Sequence, residues 1–283
     1  MITGKGGQLG SALISSAPSG ADVDATDRTT LDLCDARAIA DYVNKSCPDI
    51  IVNAAAYTAV DKAETDVDTA SAINVTAVET LARAARDIGA KLVHISTDFV
   101  FDGMASAPYP VDAPVAPLGV YGRTKFAGEV AALSADALVV RTAWVYANGG
   151  KNFVATMLRL MAERDEVRVV DDQIGTPTWA NSLAEAVWQM AEKDASGVYH
   201  YTDGGRASWY DFAVAIQQDA LANGLLERRA RLTPISTAQY PTAAKRPAYS
   251  VLDNSRTSAL LGGDAPDWRI NLHRMLKEMV PNG

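Results

Sequence analysis

Ile2-Thr3-Gly4-Lys5-Gly6-Gly7-Gln8-Leu9-Gly10 sets glycines at positions 4, 7 and 10 between a short β-branched run and the first turn of a helical pattern. Where a strand hands over to a helix in this way, missing β-carbons let the backbone approach a pyrophosphate, and the helix N-terminus stabilises its charge. Gly4, Gly7 and Gly10 are thus candidate contacts to a dinucleotide, a reading carried more by the loop's position than by its spacing. Asp27 lies about twenty residues further on, at the end of the second predicted strand, where a carboxylate accepts hydrogen bonds from the adenosine ribose of NAD. Arg28 beside it suits the extra phosphate of NADP, so the pair leaves NADH and NADPH both open.

Outward from the loop, residues 2–3, 21–26, 49–54, 91–96 and 138–142 read as strands, and residues 9–16, 35–45, 70–88 and 120–133 carry apolar side chains at helical spacing. Gly89 is placed to cap the third of these helices. The alternation predicts an α/β fold, a Rossmann doubly wound parallel sheet covered on both faces. Only residues 1–3 precede Gly4, whereas a central strand runs to about 5–6 residues. The reading therefore expects the strand to begin in apolar residues upstream of this numbering.

Beyond Trp144 the alternation becomes irregular, with helices expected near 153–162, 183–191, 209–222 and 272–279 and strands at 167–170 and 198–201. Pro234, Pro241, Pro247 and Pro266 among polar residues predict loops wrapped around a site. Residues 1–145 are read as the dinucleotide-binding domain, with 180–202 returning to it, and residues 146–283 mainly as a smaller C-terminal substrate-binding lobe.

The 283 residues exceed the roughly 250 at which single cores begin to split. Hydrophobic residues at 48% and charged residues at 21% exclude a disordered or fibrous chain. A net charge of -8 without a basic run argues against nucleic acid or an anionic membrane as partner. Cys34 and Cys47 are too few for a disulfide framework or a thiolate zinc site, and both read as buried thiols in a reducing compartment. With no apolar window of membrane-spanning length, a cytoplasmic location is expected.

Tyr121 and Lys125 form Y-x-x-x-K in a predicted helix, with Thr97 at the end of the fourth predicted strand. Four residues apart, Tyr and Lys share one helix face, so the ammonium is expected to favour the phenolate and lower the Tyr121 pKa. Tyr121 then becomes a candidate proton donor, and the order of glycine loop, Ser-Thr pair and Y-x-x-x-K is more specific than any one of them.

Together these residues resemble the extended short-chain dehydrogenase/reductase family. Within it, Ser96-Thr97-Asp98-Phe99-Val100-Phe101-Asp102-Gly103 is similar to the S-T-D-Y-V-F-D-G segment of the dTDP-4-dehydrorhamnose reductases. Gly7-Gln8-Leu9-Gly10, Tyr121-Gly122-Arg123-Thr124-Lys125, Arg141-Thr142-Ala143-Trp144-Val145-Tyr146, Asp172 to Thr178, and Arg246-Pro247 agree as well, as does Val52-Asn53-Ala54-Ala55-Ala56-Tyr57-Thr58 with its continuation to Glu64. The resemblance spans nearly the whole chain, with Phe99 standing where Tyr is usual. It implies cofactor pyrophosphate at Gly7, Gln8 and Leu9, adenosine at Asp27, Asp32 and Leu33, and nicotinamide along Ala56, Tyr57 and Thr58. It makes Thr97, Tyr121 and Lys125 the catalytic trio and places the sugar nucleotide, a dTDP-4-keto-6-deoxy sugar, against Thr97, Asp98 and Trp144. Arg246 is a candidate for the diphosphate, its fork suiting phosphate oxygens, with a surface arginine beside a turn proline as the plainer reading. For Trp144 the plainer reading is a core aromatic at a strand end.

The implied reaction is reduction of a C4 keto group by NADPH or NADH in a monomer or homodimer. Related dehydratases carry two carboxylates after the Thr, and Phe99 removes the second, which disfavours dehydration. A sugar-nucleotide epimerase of the same fold and a non-catalytic, dinucleotide-binding regulatory subunit remain the alternatives. Some members of the family bind Mg2+ at a dimer contact, but Ser11 and Ala12 follow Gly10 and supply no carboxylate for it. His94, His200 and His273 are too dispersed to be metal ligands and read as structural. Asp61, Lys62 and Glu64 read either as part of the site mouth or as a solvated helix start.

Overall fold

The computed structural model describes residues 1–280. Twelve strands are found among them: β1 (Ile2–Thr3), β2 (Ala25–Thr26), β3 (Ile50–Asn53), β4 (Lys91–Thr97), β5 (Leu138–Thr142), β6 (Val145–Tyr146), β7 (Glu166–Val170), β8 (Ile174–Gly175), β9 (Thr178–Trp179), β10 (Gly197–His200), β11 (Ala207–Ser208) and β12 (Arg231–Ile235). Six form one parallel sheet in the order β2-β1-β3-β4-β5-β10. The order reverses between β1 and β3, which opens a crevice at the carboxyl ends of those strands, the place where doubly wound sheets bind ligands.

Helices α1 (Gln8–Ser15) and α8 (Ala180–Glu192) cover one face of this sheet; α2 (Ala36–Ser46), α5 (Ala77–Ile88) and α6 (Val120–Leu133) cover the other. Ile2, Leu13, Val52, Leu183 and Val187 are buried together on the first face, and Ile39, Val43, Ile51, Leu81 and Leu92 on the second. Each such side chain contributes about 1.5–3 kcal/mol of burial, so the β-branched runs and the amphipathic helices that cover them stabilise one another. Local signals set the helix ends: Asp35 Oδ1 accepts from Arg37 N and Ala38 N to start α2, and Gly89 at φ +73° closes α5.

Between β9 and the end of the described chain lie β10, β11, α9 (Trp209–Ala222), β12, α10 (Ser255–Leu261) and α11 (Trp268–Glu278). Together with α7 (Phe153–Glu163), α9 and α11 enclose a second core around Phe212, Trp268 and Leu272. β7 pairs with β12 and β6 with β9, both in parallel, while β8 and β11 pair antiparallel.

Several features depart from the sequence reading, among them the strand expected over 21–26, which is only Ala25–Thr26, and the unexpected short strands β6, β8, β9 and β11. The helix expected over 70–88 is split into α4 (Val67–Ser71), a π-turn over Ala72–Thr76, and α5; a short α3 (Val60–Ala63) precedes it. The stretch expected to be loop contains β12, with Pro234 inside it, because a two-stranded pairing leaves an edge where a proline's missing N–H costs no ladder bond. The same stretch also contains α10. Cys34 and Cys47 are exposed rather than buried: Cys47 ends α2 in the left-handed conformation at φ 41°, a surface turn rather than a core position. No helix among the described residues is long and apolar enough to cross a membrane.

Candidate active site

A cleft of about 1650 Å³ opens at the crevice between β1 and β3 and runs towards the second core. The glycine loop forms its floor. Gly4 has φ +80°, and a Cβ there would meet Ala55 Cα at 3.0 Å; a Cβ on Gly10 would fall 2.1 Å from the Gly4 carbonyl oxygen. Gly10 therefore serves helix-to-strand packing and does not line the cleft, whereas Gly4, Gly7, Gln8 and Leu9 do. Gly7 N donates to Gly4 O at 2.9 Å, and α1 begins at Gln8 with no side-chain cap on its first turn. Bare backbone donors at a helix start, in a loop kept free of side chains, fit a dinucleotide pyrophosphate.

The adenosine-end candidates lie outside the cleft lining. Asp27 Oδ1 accepts from Thr29 Oγ1 at 2.6 Å and from the Thr29 and Thr30 amides, and Oδ2 pairs with Lys5 Nζ at 3.2 Å. Hydrogen bonds from Thr29, with Lys5 adding to them, hold its carboxyl well below the ordinary range. Arg28 is exposed, Asp32 stabilises its own turn by accepting from Cys34 N, and Leu33 packs against the second-face core. Ala56 and Thr58 line the cleft. Tyr57 does not; its hydroxyl donates to Asp66 and its backbone is held by Asn74.

Thr97, Asp98, Tyr121 and Lys125 all line the cleft and all are buried. Thr97 ends β4, accepts from Phe99 N at 3.2 Å and donates to Asp98 Oδ1 at 3.0 Å. Burial raises the Asp98 carboxyl to about 6, with the Ser250 and Thr97 hydroxyls opposing it. Tyr121 is the second residue of α6, whose first amide, Val120 N, is capped by Glu64 Oε1 at 2.8 Å. Its phenol is pushed up to about 12, by burial first, with the Thr97 hydroxyl pulling it down and Asp98 pushing it up. The expected lowering of Tyr121 by Lys125 is thus corrected. Lys125 is itself brought down to about 8 by burial, with Glu129 opposing, and its Nζ donates to Ile95 O at 2.6 Å.

Trp144 and Arg246 complete the wall. Trp144 lines the cleft in the left-handed conformation at φ 49°, stacked on Trp209 with centroids 3.5 Å apart and planes 7° apart. A bulky residue held there marks stored backbone strain, which clusters at functional sites. Arg246 Nη2 pairs with Asp61 Oδ2 at 2.7 Å, while its buried Nη1 has no partner among the described residues. Asp61 lines the cleft mouth and Glu64 caps α6, so two of the three residues read as a helix start support the site; Lys62 pairs with Asp66.

Sequence reasoning missed Trp209, Gln173 and Asn74. Gln173 accepts from Trp209 Nε1 at 3.2 Å, and its segment had been noted without a role. Asn74 sits in the π-turn and bonds Tyr57 and Thr124; a π-bulge at a functional site was the available signal, but it has no sequence signature.

A family model described as the RmlD substrate binding domain matches residues 1–280. The dTDP-4-dehydrorhamnose reductase of Burkholderia thailandensis is 42% identical over 293 residues, covering 99% of this chain and 98% of that protein. A crystal structure of a dTDP-4-dehydrorhamnose reductase from Clostridium acetobutylicum superposes with a TM-score of 0.92 at 39% identity, covering 98% of both chains. One from Bacillus anthracis in complex with NADP gives a TM-score of 0.92 at 36% identity, again over 98% of each. With model, relatives and structures agreeing along its whole length, the chain belongs to the RmlD substrate-binding-domain family, that of the dTDP-4-dehydrorhamnose reductases.

Proposed function

We propose that the chain reduces the C4 keto group of dTDP-4-dehydro-L-rhamnose to give dTDP-L-rhamnose, using NADPH or NADH. The observation that carries this reading is one cleft holding an uncapped glycine-loop helix start at one end and buried Thr97, Asp98, Tyr121 and Lys125 beside it. The backbone amides of Gln8 and Leu9 would hold the pyrophosphate where Gly7 lets it approach, and Ala56 and Thr58 would line the nicotinamide half. When bound, the nicotinamide supplies the hydride that reaches C4.

The remaining work falls to the chain's own side chains. Because burial holds the Tyr121 phenol up at about 12, it stays protonated at neutral pH and is able to give its Oη proton to the C4 oxygen. Thr97 Oγ1 would turn its proton from Asp98 to the same oxygen as charge builds there. Lys125, when protonated, would place a positive charge behind the Tyr121 phenolate as it forms. The stacked Trp144–Trp209 pair would exclude water from the sugar face, and the free Nη1 of Arg246 would take a diphosphate oxygen. Asp27, tied to Lys5 and the Thr29–Thr30 turn, would meet the adenosine ribose together with Lys5 and Arg28, an arrangement open to either cofactor. The reading fits a cytoplasmic monomer or homodimer whose partners are soluble, charged small molecules.

The test is NADPH oxidation with dTDP-4-keto-6-deoxy-L-hexulose formed in situ. Turnover to dTDP-L-rhamnose is expected, with Tyr121→Phe slower by about 10²–10⁴-fold, the usual worth of a positioned acid. Cofactor binding without turnover, or an unaffected Tyr121→Phe enzyme, would overturn the assignment.

A further inference from the structure

Lys125 is linked to the glycine-loop strand by an unbroken line of buried polar groups that the proposed reaction does not use. Ala55 N donates to Thr3 Oγ1 at 3.3 Å, and Thr3 Oγ1 lies 2.7 Å from Asn53 Oδ1. Asn53 Nδ2 lies 3.0 Å from His94 Nδ1, and His94 Nε2 lies 3.4 Å from Lys125 Nζ. Thr3, Asn53, His94 and Lys125 are all buried, on β1, β3, β4 and α6.

The direction of this line follows from the orientation of the Asn53 amide. Its carbonyl oxygen faces Thr3 Oγ1, which accepts from Ala55 N and donates its single proton to Asn53 Oδ1. The Asn53 amide then presents an N–H to His94, which makes Nδ1 the acceptor and leaves the ring proton on Nε2. That N–H faces the Lys125 nitrogen, where it suits the lone pair of an amine and opposes an ammonium. Lys125 has a second polar neighbour in Ile95 O, an acceptor that serves both of its forms.

We propose that His94 is a positioning residue for Lys125: fixed as the Nε2–H tautomer by Asn53 and Thr3, it offers its N–H to the Lys125 amine and sets how readily that lysine releases its proton. The inference rests on the reading of Lys125 as the partner of Tyr121. Burial, then the Lys125 charge, hold His94 well below its ordinary value, so the ring stays neutral, while burial, opposed by Glu129, brings Lys125 to about 8. Among the described residues, the charged groups acting on the pair are Lys125 on His94 and Glu129, one turn along α6, on Lys125; Glu129 is itself paired with Arg141 from β5 at 2.7 Å. Tyr121 lies one turn before Lys125 on the same helix.

The test is made first on the whole protein without substrate. Nitrogen NMR of histidine-labelled protein reads the His94 tautomer, and lysine-labelled protein reads the Lys125 titration. Asn53→Asp offers His94 Nδ1 an acceptor and should turn the ring to the Nδ1–H tautomer, leaving an Nε2 lone pair for the ammonium. The Lys125 titration should then rise by about one pH unit. Asn53→Leu removes the constraint without adding charge and should move it the same way by less; it also decides the matter if the Asp variant fails to fold. An Nδ1–H tautomer in the wild type, an unmoved Lys125 in both variants, or a shift in the Asp variant alone, which added charge would explain, each overturns the proposal. With substrate, the alkaline limb of kcat should rise in step with the Lys125 titration, a readout that mere loosening of β3 would not give. Expected NMR results together with absent turnover would support the link to Lys125 and overturn the reductase reading, so the two failures are distinguishable.

Discussion

Asp98 shows how a single residue at this site exchanges stability for chemistry. Moving its carboxyl from the ordinary 3.8 to about 6 costs the ionised fold about 3 kcal/mol. Because the folded value is the higher one, the cost is absent below about pH 4 and grows as pH rises through about 6. Asp98→Asn should therefore match wild type in urea unfolding near pH 4 and become more stable by up to about 3 kcal/mol at pH 8, while binding the sugar nucleotide more weakly. A pH-independent difference would show that the carboxyl is not buried as an acid. Thr97, Tyr121 and Lys125 were legible as a strand end followed by Y-x-x-x-K, and Asp98 through the family resemblance, and the fold brings the four to one cleft. The link proposed for His94 was not legible. Its partners Asn53 and Lys125 are 41 and 31 residues away, so its role exists only once β3, β4 and α6 are packed, and in sequence it is one histidine in an apolar strand. Trp144 was legible as a site residue, yet its stacking on Trp209 was not, since that contact joins two distant segments.

Among the elements, the positions of helices and strands were read better than the contacts that support them. The pattern over 120–133 coincides with Val120–Leu133, and the strand over 138–142 with Leu138–Thr142, a short run buried at every position as expected inside a parallel sheet. The π-turn before α5 and the proline inside β12 escaped notice, since each depends on what packs beside it rather than on local preference. The same dependence makes Gly122 of α6 a sensitive position. A Cβ there would lie 2.2 Å from the Phe99 carbonyl oxygen and 2.9 Å from Pro117 Cβ, so α6 would have to move away from the turn that follows Thr97. Gly122→Ala should cost about 1–3 kcal/mol in denaturant unfolding, the usual range for overpacking. It should also lower kcat by about 100-fold, because Tyr121 moves with the helix. Loss of stability with kcat unchanged would mean that α6 yields elsewhere and keeps Tyr121 in place.

Across the whole molecule, the cleft lies between a sheet core and a second core whose segments return to one another. β10 leaves the irregular half to pair with β5, and Trp188 Nε1 of α8 donates to Leu13 O of α1 at 3.1 Å. At the cleft mouth the tie is polar: Asp61 of α3 accepts from Ala244 N at 2.9 Å and from Arg246 Nη2 at 2.7 Å, joining the dinucleotide side to the loop before α10. That tie aims the unpartnered Nη1 of Arg246, so it should matter for the nucleotide diphosphate and little for the nicotinamide cofactor. In Asp61→Ala, Arg246 loses its ionic partner and the loop its anchor. The affinity for dTDP measured by calorimetry should fall by about tenfold, corresponding to about 1.4 kcal/mol, with NADPH affinity within about twofold of wild type. Equal weakening of both ligands would instead mean that the two cores move apart together when the mouth is untied. Unchanged dTDP affinity would leave Arg246 as a surface arginine next to Pro247, the plainer reading of its sequence.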